Sequence, residues 1–346
     1  MRRLLNVASD PTVRRRFESV NCCRPSTLIR FHDLLTLYYS DLYTHAIDDE
    51  ARFPKSRYRK VRDEVRARLG DDVEILPAPR AEPEAMTPVH DESFVRAFVD
   101  GTLDRDAVRA IGFRPWTEDF VDRALTIAGG SLAAFQDVFD GDMVAGNLAG
   151  GTHHAFSDHG GGYCVFNDVA LGAVAALSRG FDSVGVVDLD VHQGDGTASL
   201  MAGNDSVFTL SVHCSQNYPF RKKVSDLDIG VAEDSGDDDY LVAVDEGLSA
   251  IEEWAPELIV FQAGVDSLVE DALGRLNVTR GGLRRRNRKV FRLARRLDVP
   301  VVVLMGGGYA EPIEASVVAH ADVFEAAAAF GRERVAQDSI TEVEET

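Results

Sequence analysis

Lysine is scarce in this 346-residue chain: only Lys55, Lys60, Lys222, Lys223 and Lys289 stand beside many arginines, and 57 acidic residues outnumber 37 basic ones. The formal charge of -20 argues against binding a nucleic-acid backbone, which needs clustered cations, and instead favours cationic partners, solubility or adaptation to a salty cytoplasm. Cysteine is sparse too. Cys22, Cys23, Cys164 and Cys214 have no paired metal spacing, and the first two are adjacent, so neither a thiolate zinc knot nor a disulfide framework is expected. No apolar run approaches the ~18 residues of a membrane span, and the arginine-rich start lacks the apolar stretch of a secretion signal. The expected location is the cytoplasm, and no repeat of solenoid period is visible.

What is present is enough apolar material, 45% of residues, for one large core. Residues 1–34 carry arginines without periodicity and read as an N-terminal extension, 35–336 as a single catalytic domain, and 337–346 as an acidic mobile tail. Leu35–Tyr39 reads as a first strand, Ser56–Leu69 and Glu118–Val138 as helices. Apolar runs recur at Met143–Leu148, Val184–Val187, Val207–Val212, Leu258–Ala263 and Val301–Met305, with helical patterns between several of them. That alternation predicts an α/β fold of three layers, a central, mostly parallel sheet covered on both faces by helices.

The polar residues fall at the C-terminal ends of those runs, where open parallel sheets place their ligand crevices. Asp188-Leu-Asp-Val-His192-Gln-Gly-Asp195-Gly196 follows one strand, and its Asp190 and His192, two residues apart in extended backbone, leave the same face. Asp266, after another strand, can add a second carboxylate. Two Asp and one His leave a divalent cation an open coordination position, as in catalytic sites; zinc is the first choice, with Fe²⁺ or Co²⁺ compatible with the same donors. His153 and His154 lie on a glycine-led loop, and Asp188 and Asp195 are free to orient them, giving two Asp–His pairs beside an activated water. Tyr309, after three glycines, is placed to donate a hydrogen bond to a carbonyl becoming an oxyanion.

These motifs, with Gly161-Gly-Tyr-Cys-Val-Phe-Asn167-Asp168 and Ala263-Gly-Val-Asp266, resemble the histone deacetylase family of the arginase/deacetylase superfamily. Arg52-Phe-Pro-Lys-Ser-Arg-Tyr58 and Asn217-Tyr-Pro-Phe220-Arg resemble its compact, class IV-like bacterial members. The resemblance implies a central sheet of about eight strands and zinc on Asp190, His192 and Asp266, with His154 as principal general base and later acid. His153 would be its electrostatic partner held by Asp188, with Asp195 orienting His154 and Tyr309 polarising the acyl carbonyl. Gly162, Tyr163 and Tyr218 would line an acyl-lysine tunnel, and a structural potassium ion would sit at Asp188, Asp190, His192, Ser211 and Val212. The implied activity is zinc-dependent hydrolysis of acyl amides, N6-acyl-lysine on a protein or peptide first and acetylated small amines such as acetylpolyamines second. An inactive acyl-lysine-binding scaffold is a remote alternative, since every expected ligand and base is present. A binuclear ureohydrolase would need a carboxylate where Gly194 stands. Neither nucleic acid nor membrane is expected as a partner.

Overall fold

In the computed structural model, which describes residues 34–45, 47, 53–113 and 116–344, the apolar runs become strands. They are β1 (Leu35–Tyr39), β2 (Val73–Pro77), β3 (Val144–Asn147), β4 (Val184–Asp188), β5 (Val207–Cys214), β6 (Leu227–Val231), β7 (Leu258–Gln262) and β8 (Val301–Leu304). All pair in parallel, in one sheet of order β2-β1-β3-β8-β7-β4-β5-β6. Every residue of β4, β7 and β8 is buried, which is why these strands read as nearly continuous apolar runs rather than as alternating patterns.

The helices are α1 (Arg57–Leu69), α2 (Glu92–Val99), α3 (Arg105–Ile111), α4 (Glu118–Phe139), α5 (Asp168–Ser178), α6 (Asp195–Met201), α7 (Asp237–Trp254), α8 (Arg280–Leu297) and α9 (Glu314–Glu344). Helices α4, α5 and α6 pack in succession and cover one face; α1, α9, α8 and α7 do the same on the other. The expected three layers are therefore observed. Capping is local and legible: Thr117 accepts from the Phe120 amide at 3.1 Å to start α4, whose first turn adds Glu118 and Asp119, and Asn167 accepts from the Ala170 amide at 2.9 Å to start α5. Among the described residues no helix is long and apolar enough to cross a membrane.

Two strands, β2 and β6, were not anticipated. Both are edge strands with partly exposed side chains, and Glu74 and Asp228 interrupt their apolar pattern. The backbone of α9 stays helical to Glu344, through most of the stretch expected as a tail, because no glycine or proline follows Gly331 to break it. The expected N-terminal extension lies outside the described residues except for Leu34.

One consequence of the strand order governs the site. Strands β3, β8, β7 and β4 are consecutive neighbours, all pointing the same way, so the loops leaving their C-terminal ends meet. Those loops carry His153 and His154, Tyr309, Asp266, and Asp190 and His192.

Candidate active site

Asp190, His192 and Asp266 offer ligand atoms that all lie within 4.8 Å of one another. His192 Nδ1 sits 3.0 Å from Asp190 Oδ1 and 3.1 Å from Asp266 Oδ2, while Asp190 and Asp266 are buried at 1% and 0% exposure. Two buried carboxylates converging on one imidazole repel each other. Burial, then Asp190, pushes Asp266 up to about 7, the response expected of like charges forced together. A divalent cation would relieve that repulsion, and an Asp₂His donor set suits one that takes oxygen and nitrogen ligands. The second oxygen of Asp190 accepts from the Gly307 amide at 2.8 Å and from Gln262 Nε2 at 3.2 Å, and Asp266 Oδ1 accepts from the Val191 amide at 2.9 Å. Backbone donors on two loops and the side-chain amide that ends β7 thus fix the carboxylates in place.

Behind this cluster stand the two paired imidazoles. His153 Nδ1 lies 2.7 Å from Asp188 Oδ2, and His154 Nδ1 lies 2.7 Å from Asp195 Oδ1; the rings are 4.1 Å apart between centroids. His153 Nε2 points towards Asp190 Oδ1, 3.9 Å away. His154 instead packs against the cavity wall, its ring 4.9 Å from that of Tyr218. The loop is anchored from below by Asp168, which accepts from the Gly151 amide at 3.2 Å, the Thr152 amide at 2.8 Å and the Thr152 hydroxyl at 2.6 Å.

These groups open into a cavity of about 440 Å³, whose wall includes His153, His154, Gly162, Tyr163, Tyr218 and Tyr309. Gly162 has φ +51°, and a Cβ there would stand 2.6 Å from His154 Cδ2, so the cavity wall can approach the imidazole only without a side chain. Gly307 is under the same constraint, since its Cβ would fall 2.0 Å from Asp266 Oδ2. Tyr309 is held through its backbone amide, which donates to Asp271 Oδ2 at 2.6 Å, and burial pushes its phenol well above the usual tyrosine range. It therefore stays a hydrogen-bond donor. Ser211 and Val212 are buried on β5 away from the cavity wall, with Ser211 in register with Asp188 on β4.

Sequence reasoning gave no role to Gln262, Asp168, Asp271 or Arg57. Gln262 ends β7 and could have been suspected as a polar residue closing an apolar run. Arg57 gave no such signal: it sits at the start of a charged helix, yet it is buried and donates to the carbonyls of Gly306 and Gly308 behind the glycine loop.

A parallel sheet that gathers three side chains able to hold a cation, two aspartate-held imidazoles and a buried tyrosine at its strand ends is an arrangement of the arginase/deacetylase kind. The histone deacetylase domain model matches residues 51–323, and the chain belongs to the histone deacetylase family. An uncharacterized protein of Picosynechococcus sp. is 38% identical over 84% of this chain and 97% of its own length. Histone deacetylase 2 of Arabidopsis thaliana is 36% identical over 47% of this chain and 43% of its own, and histone deacetylase 8 of Xenopus laevis 31% identical over 57% and 64%. This chain thus spans less than two thirds of the length of either of these deacetylases. An acetylpolyamine aminohydrolase from Burkholderia pseudomallei shares the fold, with a TM-score of 0.72 at 21% identity over 86% of this chain and 99% of that one.

Proposed function

We propose that this chain hydrolyses the acyl amide of N6-acyl-lysine in proteins or peptides, using a zinc ion held by Asp190, His192 and Asp266. The observation that carries the reading is the meeting, in one cavity, of that ligand cluster with two imidazoles whose far nitrogens are already bound to aspartates. When bound, the cation supplies Lewis acidity to the acyl carbonyl and to water. His154, the ring beside the tunnel wall, takes the proton of the attacking water and returns it to the leaving lysine nitrogen, with Asp195 fixing its tautomer. His153, turned towards Asp190, supports it electrostatically. Tyr309 donates to the carbonyl oxygen as negative charge develops there, and Gly162, Tyr163 and Tyr218 enclose the aliphatic stem of the lysine.

Asp188, Asp190, His192, Ser211 and Val212 would hold a potassium ion, a reading supported by the register that sets Asp188 against Ser211. One divalent cation per chain is expected rather than two. A Cβ at Gly194 would lie 2.4 Å from Asp188 Oδ2 and 3.2 Å from His153 Nδ1, so the extra carboxylate of a binuclear site has no room there.

Acyl-lysine is favoured over acetylated polyamines by the cavity wall, whose carboxylates among the described residues are Asp190 and Asp266 alone, with none left to hold a second cationic amine. Release of acetate from an acetyl-lysine peptide, measured against acetylspermidine alongside metal analysis, tests the reading. Hydrolysis of the peptide with one zinc per chain supports it; no cleavage of any acyl amide by zinc-loaded protein, or two manganese ions per chain, overturns it.

A further inference from the structure

A chain of net charge -20 repels anions as a whole, yet the mouth of its active-site cavity is built the other way. Of the charged side chains on the cavity wall, Asp190, His192 and Asp266 form the cation site, and Arg57 and Arg123 are buried at 2% and 3% exposure. What remains is Arg275, half-exposed, on the same wall as Phe220, which is 83% exposed. Apart from the cation site, that wall has no carboxylate among the described residues. Arg275 pairs with Glu233 at 3.3 Å, but the two side chains are 49% and 41% exposed, and an ion pair so open to water exchanges readily for another carboxylate.

The charge of Arg275 is reinforced by its neighbours. Directly after Phe220 come Arg221, Lys222 and Lys223, and among the described residues none of the three has an ion-pair partner. Lys222 Nζ donates to the carbonyls of Asn217 at 2.6 Å and Pro219 at 2.8 Å. Asn217 lines the cavity, donates to the Leu273 carbonyl at 2.8 Å and accepts from the Arg275 amide at 3.0 Å, so Lys222 and Arg275 are fastened to one residue. The carboxylates next along the chain are engaged elsewhere: Asp226 accepts from the Thr209 amide and hydroxyl, both at 2.8 Å, and Asp228 from Gln193 Nε2 at 2.7 Å. Neither lines the cavity.

This basic segment is anchored. Gln193, 1% exposed and adjacent to His192, grips Lys223 in both senses: its Nε2 donates to the Lys223 carbonyl and its Oε1 accepts from the Lys223 amide, each at 2.8 Å. The residue that follows a cation-site side chain thus sets the position of the loop at the mouth. An aromatic ring that an anchored loop keeps in water gains hydrophobic free energy only when a partner covers it.

Size identifies the partner. A peptide cannot enter a cavity of about 440 Å³ whole, so with its acyl group at the cation site its backbone crosses the mouth. The residues next to the acyl-lysine, their Cα atoms about 3.8 Å to either side, then lie over the rim. There a guanidinium offers planar, paired donors that match a carboxylate, and it disfavours an ammonium.

Resting on the reading of this site as an acyl-lysine hydrolase, we propose that the mouth selects acyl-lysines flanked in the peptide by aspartate or glutamate, with Arg275 binding the flanking carboxylate and Phe220 packing on the peptide chain. The overall charge acts at long range and favours cationic partners; the rim reads the residues beside the acyl-lysine and favours acidic ones.

The test measures kcat/KM, at one ionic strength, for three acetyl-lysine peptides that differ only in the flanking residues: aspartate, serine or lysine. Wild type should favour the aspartate peptide over the lysine peptide by about tenfold or more, with serine between. Arg275→Gln should remove most of that ratio and Arg275→Glu should invert it, while Phe220→Ser should raise KM for all three peptides without reordering them. Should the Arg275 variants not fold, the wild-type order of the three peptides decides. Equal cleavage of the aspartate and lysine peptides by wild type, a preference for lysine, or a ratio unmoved in folded Arg275→Glu overturns the proposal and leaves the hydrolase reading intact. Failure of zinc-loaded protein to cleave any of the three overturns the hydrolase reading instead.

Discussion

His153 and His154 are neighbours in sequence, equally buried, and each holds an aspartate at 2.7 Å, yet they are driven in opposite directions. Burial works to lower His153, but Asp188 and Asp190 together outweigh it and raise the group to about 9. Burial also lowers His154; the adjacent His153 adds to it, Asp195 offsets only part, and the group falls to about 4. A carboxylate hydrogen bond alone therefore does not decide protonation in this interior. The difference comes from a second carboxylate on one side and a cationic neighbour on the other. A unit charge about 4 Å away contributes roughly 4 kcal/mol at an effective dielectric of 20, about three pKa units, enough to override one shared hydrogen bond.

The largest test of this asymmetry removes its source. Asp190→Asn takes away both a cation ligand and the second carboxylate facing His153, so the variant should lose bound zinc and turnover should fall by more than ~1000-fold. Metal analysis of the purified variant checks the first point and a peptide assay the second; full zinc occupancy would show that Asp190 is not a ligand. Next come the imidazoles themselves. His154→Ala should retain zinc and lose ~100- to 10,000-fold in kcat, the range for a general acid-base group, whereas His153→Ala should lose less. The reverse order would exchange their roles. Tyr309→Phe, which keeps the ring and removes only the donor, should cost ~100- to 1000-fold in kcat with zinc retained; unchanged turnover would take Tyr309 out of the carbonyl's environment.

How much of this asymmetry could be read beforehand follows from the same residues. The convergence of Asp190, His192 and Asp266 with both imidazoles was legible, because polar side chains at the ends of buried apolar runs are conspicuous and strand direction sends them to one edge. Their pairing with Asp188 and Asp195 was legible too, since both aspartates lie in one short segment. That His153, and not His154, faces Asp190 was not, because it depends on ring orientation within a loop whose backbone is fixed from below by Asp168. Edge strands β2 and β6 escaped for a related reason: partial exposure lets charged residues into the strand and dilutes its pattern. Arg57 and Arg123 were the hardest to see, since arginine in a helix reads as a solvated face unless the fold buries it.

A third imidazole sharpens the comparison and gives the smallest effect. His90 is buried and, among the described residues, has no carboxylate partner; its Nδ1 lies 2.8 Å from the Phe156 carbonyl, and its Nε2 accepts from the Asn167 amide at 2.9 Å. Burial lowers it to about 4, the direction of His154 without any neighbouring cation to assist. Accepting from an amide requires that nitrogen to be unprotonated, so the folded state holds the ring neutral while the unfolded chain protonates it near 6.5. Between pH 6.5 and about 4 the unfolded state binds more protons. The contribution to stability is therefore complete above pH 6.5 and is lost as pH falls, by at most about 1.4 kcal/mol per pH unit. His213, lowered to about 4 by burial, and His320, lowered well below its usual value by burial and then by Arg57, add slopes of the same sign. Denaturant unfolding between pH 5 and 8 should show stability rising towards pH 6.5, where the lowered histidines outnumber the opposing Asp266, and falling above it, where His153 and His192, raised to about 9 and about 10, bind more protons in the folded state. His90→Gln, which can preserve an acceptor and a donor without titrating, should lower the maximum yet flatten the slope below pH 6.5. An unchanged slope in that variant would mean that His90 is already protonated in the folded protein, and that burial without a charged neighbour does not suffice to hold an imidazole neutral here.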